Sequence, residues 1–156
     1  DPLDGYRLGM RPEYLLVAGL VFVPLTEPYV TEVYGSDWEG LPSHLLYLWR
    51  HGKVEFPGHQ IVVLSDVLAC EFTQGYNIHQ RSVVLRCDGQ KVMNLEHLAA
   101  LVKGCKDPFL RFDFLSGIVA LHCEEIHQTT QTVMRMNQIS EPRCILNRGT
   151  DLGRLA

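Results

Sequence analysis

The longest apolar segment of the chain lies near its start. Residues 15–25 carry no charged side chain, and only Pro24 interrupts the run. A helix that crosses a bilayer needs about 20 apolar residues, so this segment is too short to span a membrane. Its β-branched and aromatic residues, such as Val21 and Phe22, predict a strand that is buried on both faces.

Gly19 interrupts this predicted strand. A glycine inside a strand weakens it, and often marks a bulge or a place where another backbone or a ligand comes close. Two interpretations therefore stay open. Gly19 either serves packing beneath a helix or admits the backbone of a ligand.

Helical periodicity appears further along the chain. The clearest helix has Asn94 as its N-cap and ends at Gly104. Its apolar residues recur at i, i+3, i+4 and i+7; they are Leu95, Leu98, Ala99 and Val102. A second helix lies around residues 38–51, with Pro42 at its first position. A weaker helix is predicted over 125–139, and residues 26–35 predict at most one helical turn.

Strand patterns occupy most of the remaining chain. The clearest hairpin turns at Asp88–Gly89, because this pair accepts the positive φ angles of a two-residue turn. Two more strands flank Ser116–Gly117. Residues 60–64 and 67–71 predict two further short strands. This mixture of antiparallel hairpins and a few helices indicates an α+β domain, which we expect over residues 14–145. Residues 1–13 are predicted to be a lead-in and 146–156 a tail.

Charge and composition exclude some classes of partner. The net charge is −4, and the 14 Lys and Arg residues are scattered along the chain. Without a basic stripe, neither a nucleic-acid surface nor an anionic membrane patch is expected. No secretory signal is expected either, because the early flank is partly acidic and no small-residue cleavage site follows. The chain starts at Asp1 rather than at methionine, which indicates a piece of a longer protein.

The cysteines favour a reducing compartment. There are five of them, an odd number, with wide spacings. A disulfide framework is not expected from this pattern. We predict that the thiols are reduced and mostly buried, in an intracellular reducing compartment such as an organelle or the nucleus.

The motifs offer no case for catalysis. Ser116 lacks the glycine-rich approach that holds a nucleophilic serine in an exposed turn, and its position predicts a hairpin. Cys123 and His127 are the best-spaced metal-ligand pair, but they straddle a predicted strand end. Glu124 and Glu125 are adjacent and so point to different sides. We expect no catalytic residue, no metal and no cofactor.

Two segments together resemble a known family. VAGLVF (Val17–Phe22) combines a small glycine loop with an apolar strand, and VVLRCDGQKVMNLEHLAALV combines a strand, a turn, an N-cap and an amphipathic helix. These segments resemble the PDZ domain. With QIVVLSDVLACEFTQGY and KDPFLRFDF in the same order, residues 11–143 resemble the second PDZ domain of Deg/HtrA-type serine proteases of the plant and protist kind.

The resemblance implies a fold and a site. The fold is a partly open antiparallel β-barrel or sandwich, capped by helices and extended by extra helical segments. In this family a glycine loop holds a peptide C-terminal carboxylate, and the next strand pairs with the peptide. The implied carboxylate loop is Val17, Ala18, Gly19 and Leu20. The implied pairing strand is Leu20–Val23, with Val21 and Phe22 at its centre. The implied groove wall is Leu95, Leu98, Ala99 and Val102, although core packing would use the same residues.

The function implied is non-catalytic. The chain is expected to be a regulatory or assembly domain of a Deg/HtrA-type serine endopeptidase that acts in protein quality control. Its expected partners are peptide segments, its own protease domain or sister subunits in a homo-oligomer. One alternative is a stand-alone scaffold module that binds C-terminal peptides, and another is a small cysteine- or metal-dependent hydrolase. We further predict that the groove is covered by part of this chain or by a neighbouring subunit, because an open apolar strand edge invites association.

Overall fold

A computed structural model describes residues 13–36, 40–51 and 57–145. The side chains of Trp49, His51 and Phe72 are outside that description, as are the predicted tail and nearly all of the predicted lead-in. Within the described ranges the chain forms eight strands and four α-helices. The strands are β1 (Tyr14–Val17), β2 (Leu20–Pro24), β3 (Val62–Val67), β4 (Val84–Cys87), β5 (Gln90–Lys91), β6 (Phe109–Phe114), β7 (Gly117–His122) and β8 (Arg143–Cys144). The helices are α1 (Glu27–Tyr34), α2 (Ser43–His51), α3 (Leu95–Lys103) and α4 (Cys123–Met136).

The strands form two four-stranded antiparallel sheets. The first sheet has the order β3–β2–β1–β8, and the second has the order β5–β4–β6–β7. A single bridge between Val63 and Val83 connects them. The sheets do not close into a barrel, so the described chain is a partly open α+β fold, as the sequence predicts.

The apolar run near the start is a hairpin rather than one strand. β1 and β2 pair with Val17 opposite Leu20, and Ala18 and Gly19 form the turn between them. The positive φ angle, 54°, falls on Ala18 rather than on the glycine. Gly19 is needed for space, because a Cβ there would overlap the carbonyl oxygen of Leu68. What lies beside Gly19 is therefore the backbone of this chain.

Both strands of this hairpin are buried on both faces, as predicted. One face enters an inner core cluster shared with α3 and the second sheet. The opposite face enters an outer core cluster shared with α1 and α2. The inner side chains are Leu15, Val17, Leu20 and Phe22. The outer side chains are Tyr14, Leu16, Val21 and Val23.

The segment after the helical insert differs from the prediction. One strand, β3, replaces the two strands expected over residues 60–64 and 67–71, and a 3₁₀ turn follows at Glu71–Thr73. The strand ends where the amide of Leu68 donates to the Gly19 carbonyl over 2.7 Å. The Thr73 hydroxyl then donates to the Leu68 carbonyl over 2.9 Å. These local bonds fix the backbone in a turn that strand periodicity does not reveal.

The helices agree more closely with the pattern. In α3 the Asn94 side chain accepts the amide of His97 over 2.7 Å, which confirms the predicted N-cap. Gly104 ends the helix with a φ of −84°, so it is not in the left-handed conformation common at that position. α1 is longer than one turn, since Thr26 caps it and accepts the amide of Tyr29.

None of the helices in the described ranges has the length and apolar character needed to cross a membrane.

Candidate functional site

A third element lies beside the strand and the helix that were expected to form a groove. β2 pairs with β3 along one edge and with β1 along the other. α3 packs against both β1 and β2. β1 therefore occupies the edge of β2 beside α3, which is where an added peptide strand would otherwise lie.

The turn that joins β1 to β2 is also engaged by its own chain. Ala18 is only 2% exposed, and its amide donates to the hydroxyl of Thr130 in α4 over 2.8 Å. The carbonyl of Gly19 accepts the amide of Leu68. One backbone donor of the predicted carboxylate loop is thus already satisfied by a side chain.

The outer edge of β1 is partly covered by β8. Tyr14 pairs with Cys144 and Leu15 with Arg143. The amide of Leu16 donates to the carbonyl of Pro142 over 2.7 Å, and the Tyr14 hydroxyl donates to the carbonyl of Glu141 over 2.6 Å. The segment after α4 is therefore held along β1.

An open groove of about 580 Å³ remains between α3, α4, β1 and the start of β8. Apolar side chains form much of its wall, including Val102 and Ile126. Lys103, His127 and Arg143 are exposed at its rim. None of the described lining residues carries a carboxylate, so the rim is basic although the whole chain is acidic.

Ser116 makes a contact that the sequence did not predict. Its Oγ lies 2.6 Å from Nδ1 of His79, and the His79 ring stacks on Phe114 at 5.5 Å. The amide of Ser116 donates to the hydroxyl of Ser82 over 3.2 Å. These bonds anchor the β6–β7 turn, at which Ser116 lies as predicted. Among the described residues, no three His, Cys, Asp or Glu side chains gather as a metal site.

The five cysteines are free thiols. Only Cys87 is buried, and the other four are partly exposed, so the prediction that most are buried is wrong. Cys105 lies in a connection and Cys123 at a helix start, and both face the groove. Burial raises the pKa of the Cys87 thiol to about 12, with the nearby Asp88 carboxylate contributing.

Comparison with known proteins decides the family. The family profile described as PDZ domain matches residues 5–145. The chain belongs to the PDZ domain family.

Relatives of this PDZ domain are proteases of the Do-like (Deg/HtrA) type. Over 113 residues, 72% of the chain, it is 43% identical to "Protease Do-like 2, chloroplastic" of Arabidopsis thaliana, of which the match covers 18%. It is 29% identical over 140 residues, 88% of the chain, to "Protease Do-like 4, mitochondrial" of the same plant, covering 24% of it. It is 33% identical over 104 residues, 67% of the chain, to "Serine protease DegP homolog" of Plasmodium falciparum, covering 11% of that protein. The chain thus spans less than a quarter of these relatives, and is a PDZ domain of the Deg/HtrA type.

The ten residues predicted to form the site lie in different parts of the structure. Ala99 and Val102 line the groove of this PDZ domain. The other eight lie in its two core clusters or the hairpin turn; they are Val17, Ala18, Gly19, Leu20, Val21, Phe22, Leu95 and Leu98. The pairing role expected for Leu20–Val23 stays a prediction. Leu20, Val21 and Phe22 pair with β1 on one edge, and the strand pairs with β3 on the other.

Several residues that line the groove were not among the site residues predicted from the sequence. The groove also contains Leu15, Leu16, Lys103, Cys105, Cys123, Ile126, His127, Thr130, Gln131, Pro142 and Arg143. Most of them belong to α4 and β8, which lie beyond the segments that carry the family resemblance most clearly. The threonine-rich stripe of α4 is the one pattern that could have indicated a helix face turned toward a polar partner, since Thr130 holds the Ala18 amide.

Proposed function

We propose that this PDZ domain is a non-catalytic regulatory and assembly module of a Deg/HtrA-type serine endopeptidase, with its ligand-strand position filled by its own chain. The observation that carries the proposal is the pairing of β1 with β2 on the side of α3. A PDZ domain that captures a free peptide needs that edge open. Here Leu15 and Val17 of β1 already pack against α3 within the inner cluster.

The remaining groove supplies the contact surface. Its wall is apolar, its rim is basic, and it lies between α3 and α4. A segment of the protease domain or of a sister subunit that carries an acidic residue beside apolar ones would fit this combination of packing and charge. The domain then contributes to assembly through this groove, in a homo-oligomer, instead of recruiting free C-terminal tails on β2.

The relatives support the proposed activity of the parent protein. The named relatives are proteases, which supports a proteolytic parent. In this proposal the parent hydrolyses damaged or misfolded proteins in quality control. Hydrolysis belongs to a separate protease domain. Two relatives carry organelle names, chloroplastic and mitochondrial, which supports an organelle as the compartment. Imaging of the tagged parent protein against plastid and mitochondrial markers tests that location.

Peptide titration tests the occupied edge. The folded chain is titrated with a library of peptides that have free C-terminal carboxylates, with amidated versions as controls, and amide shifts are recorded. We expect no saturable binding in the low micromolar range. Saturation with shifts centred on residues 18–22 and 95–102 would instead support an open, stand-alone scaffold module.

Variants of α3 test the assembly role. Val102→Glu places a charge on the apolar groove wall, whereas Ala100→Glu places the same charge at an exposed position of the same helix. In the parent protein we expect Val102→Glu to lower the oligomer mass measured by sedimentation, and Ala100→Glu to leave it unchanged. Equal masses for both variants and the unaltered protein would contradict assembly through this groove.

A further inference from the structure

Two cysteine side chains meet where α3 ends and α4 begins. The Sγ atoms of Cys105 and Cys123 lie 2.9 Å apart. Cys105 follows Gly104, the C-cap of α3, and Cys123 is the first residue of α4. Both side chains line the groove.

The pairing of β6 with β7 brings the segments that carry the two cysteines close together. The β6–β7 ladder sets Phe109 opposite His122, directly beside the two cysteine-bearing connections. The amide of Cys123 donates to the carbonyl of Pro108 over 3.0 Å. The Sγ of Cys105 also lies 3.7 Å from the carbonyl oxygen of Phe109. The register of the β6–β7 ladder thus places Cys123, and Cys105 reaches it from the connection between α3 and β6.

Cys105 and Cys123 differ from the other cysteines in solvent exposure and in the atoms that their sulfurs contact. Cys87 is buried and out of reach of solvent, whereas Cys105 and Cys123 are both partly exposed. Cys70 contacts a hydroxyl instead, with its sulfur 3.1 Å from Oγ1 of Thr73. A small oxidant entering the groove therefore meets two adjacent thiols at one place.

We propose that Cys105 and Cys123 form a reversible disulfide when a small-molecule disulfide such as oxidised glutathione rises relative to its thiol, and that this bond ties together the two helices that wall the groove. A disulfide needs Sγ atoms about 2.05 Å apart. The observed pair is within 1 Å of that separation and needs only a small side-chain adjustment.

The reaction is thiol–disulfide exchange in two steps. The thiolate of one cysteine attacks a sulfur of the oxidant, forming a mixed disulfide and expelling one thiolate. The second cysteine, on losing its proton, attacks the mixed disulfide and expels the other half of the oxidant. In total, two protein thiols and one small disulfide give one protein disulfide and two small thiols, so the protein is oxidised by two electrons and the oxidant is reduced by two.

The pKa of Cys123 affects the rate of the exchange. Burial, reinforced by the hydrogen bond with Cys105, raises the pKa of Cys123 to about 12. Cys123 is therefore mostly protonated at neutral pH, which slows attack by its sulfur. The exchange is consequently slow near pH 7 and faster near pH 9, because only the thiolate is nucleophilic.

The bond would change the groove. It joins the end of α3 to the start of α4, next to Val102 and Ile126 on opposite walls. The two helices can then no longer separate at that end, so the groove keeps a fixed width. This effect on partner binding depends on the proposed function, whereas formation of the bond does not.

Mass spectrometry tests the bond directly. The reduced chain is equilibrated with graded ratios of reduced to oxidised glutathione, quenched with acid, unfolded, alkylated and weighed intact. We expect alkylation to fall from five thiols to three in one step, with digestion linking the peptides that contain Cys105 and Cys123. The thermal midpoint should rise by roughly 5–10 °C, because the closed loop restricts the unfolded chain. Hydrogen exchange at Val102 and Ile126 should slow.

Serine variants provide matched controls. Cys105→Ser and Cys123→Ser should each abolish the crosslink and the rise in midpoint, while Cys70→Ser and Cys144→Ser should keep both. Three outcomes would each overturn the proposal. The first is five alkylated thiols at glutathione ratios that oxidise a thioredoxin-type dithiol. The others are a lasting glutathione adduct and a crosslink at another cysteine. Should a serine variant fail to fold, peptide mapping of the unaltered chain still decides. A bond without slower exchange at the groove would overturn the claim about the helices, and a failure of assembly alone would count only against the proposed function.

Discussion

The amide of Ala18 and the hydroxyl of Thr130 are hydrogen-bonded over 2.8 Å, although 112 residues separate them in the chain. The bond joins the β1–β2 turn to α4. The Thr130 hydroxyl in turn donates to the carbonyl of Ile126 over 2.7 Å, which orients its oxygen to accept from Ala18. The turn expected to hold a ligand carboxylate is thereby connected to the helix.

Removing this acceptor should weaken the fold. Thr130→Val keeps the shape of the side chain but leaves the buried Ala18 amide without its partner, at a cost of about 1–3 kcal/mol. Thr132→Val is the matched control, because its hydroxyl bonds only one turn back, to the carbonyl of Gln128 in the same helix. Urea denaturation should show a clear loss for the first variant and a change within about 0.5 kcal/mol for the second. Equal losses would contradict the role of the Ala18 bond.

The hairpin turn tolerates change at one position and not at the next. Gly19→Ala should destabilise the fold by about 2 kcal/mol or more, because the new Cβ overlaps the Leu68 carbonyl, which the Thr73 hydroxyl holds in place. Ala18→Gly should change stability by less than about 1 kcal/mol, since relief of the positive φ offsets the added freedom of the unfolded chain. Chemical denaturation of both variants measures the difference, and a milder effect at Gly19 than at Ala18 would refute the steric argument.

Leu98 is a core residue rather than a groove residue, with 0% of its surface exposed. Leu98→Ala should therefore cost about 2–5 kcal/mol, because the truncation leaves a cavity among the inner-cluster residues. Leu85→Ala is the control, since Leu85 is 43% exposed. A loss below about 1 kcal/mol for Leu98→Ala would show that the side chain faces an open space.

His97 should make the fold sensitive to acid. Burial lowers its pKa, and its Nδ1 accepts the amide of Met93 over 3.1 Å, which requires the neutral ring. In the unfolded chain a histidine titrates near pH 6.5. The unfolded state therefore binds more protons below that pH, so the contribution of His97 to stability is complete above about pH 6.5 and is lost as the pH falls toward the lower folded value.

Comparison of pH profiles checks this contribution. Stability of the unaltered chain and of His97→Gln is measured by urea denaturation between pH 5 and pH 8. The variant should lose less stability on acidification than the unaltered chain. Profiles that run parallel would assign the acid sensitivity to other groups.

The elements that the sequence predicted well are those fixed by local signals. Asn94 caps α3 through its own side chain, and the Asp88–Gly89 turn defines its hairpin. Both need only residues within a few positions of each other. The family resemblance rested partly on these segments, and the PDZ assignment is confirmed by the profile match.

The elements that the sequence missed depend on distant contacts. The break between β1 and β2 falls within a uniformly apolar run, and its position is set by Leu68 and Thr130, which lie far along the chain. A buried strand on either side of the turn shows no alternation that would mark the reversal. The partners of β2 could not be predicted for the same reason, since the composition of one strand does not reveal which strands pair with it.

The pairing of Tyr14 with Cys144 also has a mechanical consequence. Because β1 and β8 are antiparallel, residues 13 and 145 lie at the same end of this strand pair. A pulling force applied through residues 13 and 145 would break the hydrogen bonds between these strands one after another. It would not shear all of them at once. Under tension β8 would detach at low force while the hairpin beneath it stayed intact, so stretching would expose the outer edge of β1 before the domain unfolds.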